Sequence, residues 1–222
     1  MRIAILQFLA SNCEQEIILA VEKAGMKASI IQKVQADLSD FDGYVILDHC
    51  RNDFLKEILL LAQQTGKPIL GMGEGVKPLL EYGLIPGLQN YSACIQITES
   101  LLSSLLFTQM KLREDYQYNA FTRYLTTNEA IVTNAIDSRF MIPCALLKEM
   151  QEQGLDIFHL NNPDDVHSEQ PAALSNKVGN VMAILPHHLP AIFLTKLFQS
   201  MHDYIEESDV PRVVPLFYQP RS

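Results

Sequence analysis

The stretch that decides the fold is GKPILGMGEGVKPLLEYGLIPGL, residues 66–88. It predicts an apolar strand up to Met72, a glycine-rich turn around Gly73, and a helix that ends at Gly83. α/β enzymes use such a sharp turn between a buried strand and a helix to expose a nucleophilic side chain. The residue at the apex here is Gly73, which has no side chain that could react.

The segments before this turn alternate between strand and helix patterns. The predicted strands cover residues 2–9, 27–34, 42–47 and 67–72, and the predicted helices cover residues 11–25 and 53–66. This alternation predicts an α/β fold, a three-layer sandwich with a mainly parallel, flavodoxin-like doubly wound sheet. Ligands of such sheets bind at the carboxyl ends of the strands, so we expect the site just after residues 9, 47 and 72.

The pattern after residue 90 is less regular. It predicts strands at 92–98, 109–114 and 155–161, a hairpin within 130–143 whose turn is NAIDS, a short helix at 145–154, two strands within 171–185 joined near residues 177–180, and a closing helix at 189–207. We therefore predict a single domain over residues 1–207, followed by an extended tail over 208–222 that contains three prolines.

Composition excludes several classes of protein. The net charge of −9 and the pI of about 5.1 argue against a nucleic-acid partner, because nucleic-acid binders carry a basic face. No apolar run reaches the length of about 18 residues that a membrane-spanning helix needs, so no membrane association is expected. The apolar N-terminus is cut off at Ser11 and indicates a buried strand rather than a signal peptide. The 4 cysteines lack CxxC spacing, which indicates a reduced, cytoplasmic protein.

Three motifs in order carry a resemblance to a known family: SNCE (11–14), the 66–88 stretch, and GNVMAILPHHLPA (179–191). Two weaker ones are NAFTRYLTTNEAI (119–131) and MIPCAL (141–146). With these motifs the chain resembles the class I glutamine amidotransferases over most of residues 1–200. Within that family it is most similar to the glutaminase subunits of phosphoribosylformylglycinamidine synthase, an enzyme of purine biosynthesis.

The resemblance implies a Cys–His–Glu mechanism, in which a thiolate attacks the glutamine amide, a histidine moves protons and a glutamate orients that histidine. Backbone N–H groups of a glycine-rich loop after the third strand stabilise the oxyanion in the family. The ammonia passes to a synthetase subunit, and no cofactor is implied. The positions of the family triad in this sequence are Gly73, His187 and Leu189.

The chain departs from the family pattern at the residues that perform the chemistry. Gly73 replaces the nucleophile and Leu189 replaces the acid, while residues 47–50 (LDHC) replace the oxyanion loop and residues 145–148 (ALLK) replace a substrate-side segment. Since glycine adopts the strained backbone of such a turn at little cost, Gly73 would keep the turn and discard the reaction. We therefore hypothesise a pseudoenzyme without catalytic residues, with a binding or regulatory role on a synthetase subunit of purine biosynthesis.

An alternative is a re-purposed enzyme or a metal site in the same crevice. The candidate crevice residues are Asp48, His49, Cys50, Glu74, His187 and His188. Cys50 and His187 would form a relocated Cys–His pair, and His49, Cys50, His187 and His188 would be the metal ligands. Simpler interpretations give Glu74 a favourable place at a helix N-terminus and Cys13 a capping role. A third possibility is an oligomer, such as a homodimer, without a ligand.

Overall fold

The computed structural model describes residues 1–8, 14–33, 38–49, 52–88, 94–99, 107–127, 130–134, 138–161 and 170–209. The first half alternates as predicted: β1 (Arg2–Leu6), α1 (Glu14–Lys23), β2 (Lys27–Ile31), β3 (Gly43–Ile46), α2 (Asp53–Gln64), β4 (Ile69–Met72) and α3 (Val76–Glu81). The second half comprises β5 (Gln96–Glu99), β6 (Phe107–Leu112), β7 (Ala130–Asn134), β8 (Ser138–Met141), α4 (Cys144–Glu152), β9 (Asp156–Asn161), β10 (Gln170–Ser175), β11 (Val181–Ile184) and α5 (Ala191–Asp209).

The central sheet has nine strands in the order β2-β1-β3-β4-β11-β10-β9-β6-β7. The first five are parallel, and from β11 onwards each strand is antiparallel to its neighbour. Only β10 and β6 therefore run against the common direction, so the sheet is mostly parallel, as the sequence predicts. The order β2-β1-β3-β4 is the flavodoxin-like winding.

Two apolar cores, one on each face of the sheet, complete the three predicted layers. One core contains side chains of α1 and α5, such as Val21 and Phe198. The other contains side chains of α2, α3 and α4, such as Leu59, Leu79 and Met150. The helix spacing of the apolar residues explains this division, because buried residues three or four positions apart form one face of each helix.

The predicted hairpin within residues 130–143 is wrong in its pairing. β7 pairs with β6 at the edge of the central sheet, whereas β8 pairs with β5 in a separate two-stranded sheet. The two strands separate because their buried side chains enter different cores: Ile131 packs with the α1–α5 side and Phe140 with the α2–α4 side. The middle of the proposed turn, residues 135–137, lies outside the described residues.

The closing helix α5 ends at Asp209, two residues beyond its predicted end. The rest of the predicted tail, residues 210–222, lies outside the described residues. Within the part of the chain that the structure describes, no helix combines the length and the apolar character needed to cross a bilayer.

Candidate functional site

The turn that follows β4 has the geometry of a nucleophile elbow. Met72, the last residue of the strand, is extended, Gly73 has a φ of +53°, and a 3₁₀ turn over Gly73–Gly75 leads directly into α3. A φ of this sign is costly for residues with a Cβ atom and easy for glycine. The predicted strand–turn–helix arrangement is therefore confirmed, although the helix ends at Glu81, two residues before the predicted end at Gly83.

The glycines on either side of the apex are required by close backbone approaches. A Cβ atom on Gly75 would lie 1.9 Å from the carbonyl oxygen of Ile46, at the end of β3. A Cβ atom on Gly71 would lie 2.6 Å from the carbonyl oxygen of Gly75 and 2.6 Å from Leu79 Cδ1. Because backbone atoms cannot move aside as a side chain can, these two positions hold the turn tightly against the sheet.

At position 73 the obstacle to a Cβ atom is a side chain rather than the backbone. A Cβ atom on Gly73 would lie 2.0 Å from His187 Nδ1 and 2.2 Å from Cε1 of the same ring. The imidazole of His187 therefore occupies the space into which a side chain at the apex would begin to project. His187 itself is exposed to solvent, so its ring covers the turn from the outside.

Two contacts hold the loop that carries His187, a hydrogen bond at residue 188 and core packing at residue 189. Thr133 of β7 donates a hydrogen bond from its hydroxyl to the carbonyl oxygen of His188, at 2.6 Å. Leu189 is 5% exposed and packs in the α1–α5 core. The position that corresponds to the family acid thus contributes to the apolar core and points away from solvent.

The residues after β3 are engaged in structural contacts. Asp48 is buried, and its Oδ2 accepts a hydrogen bond from the backbone N–H of Phe8, at 2.8 Å, which joins the carboxyl ends of β3 and β1. Nε2 of His49 lies 3.1 Å from Oε1 of Glu81, at the end of α3. Both residues therefore lie at the carboxyl edge of the sheet, as the sequence predicts.

Glu74 and Lys77 form an ion pair one turn apart on the surface of the elbow helix. Both side chains are between one third and one half exposed, so the pair contributes little to stability. Glu74 lies two residues before the start of α3, which is a favourable position for a carboxylate near the positive end of the helix dipole. Among the described residues, Glu74 forms no hydrogen bond or ion pair with the other candidate residues.

The proposed metal ligands and thiols of the crevice remain largely predictions. Cys50 and Cys13 lie outside the described residues, and the described thiols of Cys94 and Cys144 are free and exposed. Of the described residues, His49, His187 and His188 do not form a group of three potential ligands with closely spaced donor atoms.

Sequence reasoning missed one group of potential ligands that lies far from the elbow. The potential ligand atoms of His202, Asp203 and Glu206 on α5 lie within 4.8 Å of one another. The signal in the sequence is the spacing of His202 and Glu206, four residues apart on a helix, which places both side chains on one face.

The segment ALLK (145–148) is the first turn of α4, where Leu146 is buried in the α2–α4 core.

Comparison with known proteins gives relatives that match over nearly the whole chain. No protein-family model matches the sequence. The phosphoribosylformylglycinamidine synthase subunit PurQ of Methanothrix thermoacetophila is 26% identical over an alignment of 259 residues, which covers 93% of this chain and 99% of that protein.

Solved structures share the fold. The PurLQS structure from Thermotoga maritima matches with a TM-score of 0.62 and 20% identity, over 92% of this chain and 98% of the matched chain. A glutamine amidotransferase from Thermotoga maritima gives a TM-score of 0.53 at 10% identity, over 95% of this chain and 86% of that one. The resemblance of the chain to the class I glutamine amidotransferases, and among them to PurQ, is therefore confirmed in sequence, and the solved structures show that it shares their fold.

Proposed function

We propose that this chain is a PurQ-like protein that has lost glutamine hydrolysis and acts by binding, in a structural or regulatory role. The observation that carries the proposal is Gly73 at the apex of an intact elbow, with His187 in the space that the nucleophile's Cβ would need. A thioester cannot form without a thiol at the apex, and removing the nucleophile of a catalytic triad typically costs about a millionfold in rate.

The surroundings of the apex support the same proposal. Position 189 carries a leucine whose side chain packs in the apolar core. No carboxylate at this position can therefore orient the His187 ring. The segment after β3 contains Asp48, which accepts a hydrogen bond from Phe8, and His49, which is paired with Glu81. A carboxylate at this place would repel a developing oxyanion, where the family has backbone N–H donors.

The partner that we propose is a synthetase subunit of purine biosynthesis. The support is the overall likeness to PurQ, together with a solved homologue whose name, PurLQS, describes PurQ in an assembly. A chain that keeps the whole fold while it lacks the nucleophile would retain the surface that such a partner contacts.

The test is ammonia release from glutamine by the purified chain, with His187→Ala and Cys50→Ser prepared in parallel. We expect all three proteins to stay at the level of the buffer control. A trace of contaminating glutaminase would appear equally in all three preparations. Release that is present in the unchanged chain and absent from either variant would contradict the proposal and favour a re-purposed active site.

Binding is tested separately by sedimentation of the chain with the synthetase subunit of the same organism. We expect a complex whose formation is unaffected by His187→Ala. If the two proteins sediment independently and glutamine is not hydrolysed, the proposed loss of glutaminase activity is supported and the proposed partner is wrong.

A further inference from the structure

A cluster on α5, on the opposite side of the sheet from α3, has the arrangement of a metal site. His202 and Glu206 are four residues apart on the helix, and Nε2 of His202 lies 3.7 Å from Oε1 of Glu206. On the other side of the ring, Nδ1 of His202 lies 3.2 Å from Oδ1 of Asp203. The imidazole is therefore placed between two carboxylates.

When the ring is neutral and donates from Nδ1 to Asp203, the lone pair of Nε2 faces the carboxylate of Glu206. A metal ion placed between these two atoms would accept an electron pair from each. The distance of 3.7 Å is close to the separation of two ligands in the coordination sphere of one transition-metal ion.

The orientation of the ring is fixed through a chain of contacts. Tyr124 donates its hydroxyl hydrogen bond to Oδ2 of Asp203, which leaves Oδ1 to hold Nδ1 of His202. A carboxylate that orients a histidine through its non-ligating nitrogen is the usual outer contact of protein metal sites.

Open space adjoins the ring of His202, although Glu206 is not among the residues that line it. Gly25 has no Cβ, and a Cβ atom there would lie 3.8 Å from Nε2. A groove of about 320 Å³ adjoins His202 and Asp203 and is also lined by Gln199 and Lys23. The positive charge of Lys23 would repel a cation in this groove. Arg123, the other nearby cation, is engaged by Glu207 and Asp203.

We propose that His202 and Glu206 bind one divalent transition-metal ion, with water molecules completing its coordination and Asp203 acting as a positioning residue. The donor set, one imidazole nitrogen and one carboxylate oxygen, suits zinc and its neighbours in the first transition series. The bound ion would link two side chains that lie one turn apart on α5, and it would stabilise the folded chain by mass action.

The experiment is calorimetric titration of the full chain with Zn²⁺, together with the thermal midpoint measured with and without the metal. We expect one ion per chain and a higher midpoint with the metal. His202→Asn and Glu206→Gln should abolish both effects, and Asp203→Asn should weaken the affinity about tenfold.

Two control variants decide where the ion binds. Glu57→Gln removes an exposed carboxylate of α2, away from α5, and His188→Asn removes an exposed histidine near the elbow; both should bind zinc as the unchanged chain does. Binding that survives His202→Asn, or an unchanged chain without saturable binding, would overturn the proposal. Glu206 is largely exposed, so its variant is expected to fold even if the His202 variant does not.

Discussion

The substitution Gly73→Ala tests whether the ring of His187 occupies the space above Gly73. The change in the free energy of unfolding measures the cost of displacing that ring. The substitution places a Cβ atom on a residue with a φ of +53°, which costs about 1–2 kcal/mol for the backbone alone. The same Cβ atom would lie 2.0 Å from Nδ1 of His187. Since carbon atoms pack at about 3.5–4.0 Å, the ring must move by roughly 1.5 Å or change its rotamer.

The chain offers a matched control for the backbone contribution. Gly66 also has a positive φ, of +80°, but a Cβ atom there meets nothing within 4 Å. We expect Gly66→Ala to lower the free energy of unfolding by about 1 kcal/mol, the left-handed penalty less the reduced entropy of the unfolded chain. Gly73→Ala should cost about 1–2 kcal/mol more, because the His187 ring is displaced from its packed position.

Urea unfolding of a double-mutant cycle separates the two contributions. In a His187→Ala background the overlap is absent, so Gly73→Ala should cost about 1 kcal/mol, like Gly66→Ala. Gly75→Ala should cost more than about 3 kcal/mol in either background, because its obstacle is the carbonyl oxygen of Ile46. A coupling between positions 73 and 187 below about 0.3 kcal/mol would refute the placement of the ring over the apex.

Three further substitutions test other parts of the structure. Asn176→Ala should lower the free energy of unfolding by about 2–4 kcal/mol, because Oδ1 of Asn176 accepts hydrogen bonds from the backbone N–H groups of Gly179, Asn180 and Val181; Asn176→Asp keeps this acceptor but loses the donor to Oδ1 of Asn180, so urea unfolding should show it destabilised as well. Leu189→Glu should destabilise by about 3 kcal/mol or more at neutral pH without producing glutaminase activity, because it places a carboxylate in the core; unchanged stability would contradict the burial of this side chain. In a double-mutant cycle on the free energy of unfolding, Tyr124→Phe and Asp203→Asn should be coupled at neutral pH and uncoupled at low and at high pH. The reason is that their hydrogen bond lowers the pKa of Asp203 and raises the pKa of Tyr124. The contribution of Asp203 is lost as the pH falls below about 4 and that of Tyr124 as the pH rises above about 10, so a coupling independent of pH would contradict the bond.

The parallel half of the fold could be predicted because its signals are local. Each buried strand is a short apolar run, and each helix shows one apolar face bounded by polar or glycine residues. α2 is an example: Asn52 caps its first turn by accepting hydrogen bonds from Phe54 and Leu55, and Leu55 and Leu59 are buried one turn apart. Such features depend on neighbours within a few positions.

The pairing of β7 and β8 could not be predicted in the same way. Two short strands separated by a turn-like segment are typical of a hairpin, and nothing local distinguishes this case. The deciding contacts are distant in sequence, since β7 pairs with β6 and β8 with β5. Tertiary burial of Ile131 and Phe140 in different cores therefore overrides the local signal.

The candidate site was predictable in its location but not in its contacts. The elbow and the carboxyl edge of the sheet follow from the strand order, which places residues 48 and 73 near each other. The position of His187 over Gly73 and the contact of Gly75 with Ile46 join parts of the chain far apart in sequence. The α5 cluster has a local signal in its helix spacing, but the contact of Tyr124 with Asp203 spans 79 residues.

The contacts at the three glycines explain how a fold can keep its elbow after the chemistry has gone. Gly71 and Gly75 are fixed by backbone atoms of the turn and of β3, so any side chain there would push the helix away from the sheet. The three atoms nearest to a Cβ atom on Gly73 all belong to the exposed side chain of His187. Backbone contacts therefore restrict the outer two glycines, whereas the apex is restricted by its positive φ and by one exposed ring. Because the residue that would react is the one that the scaffold constrains least, its loss leaves the strand, the turn and α3 in place.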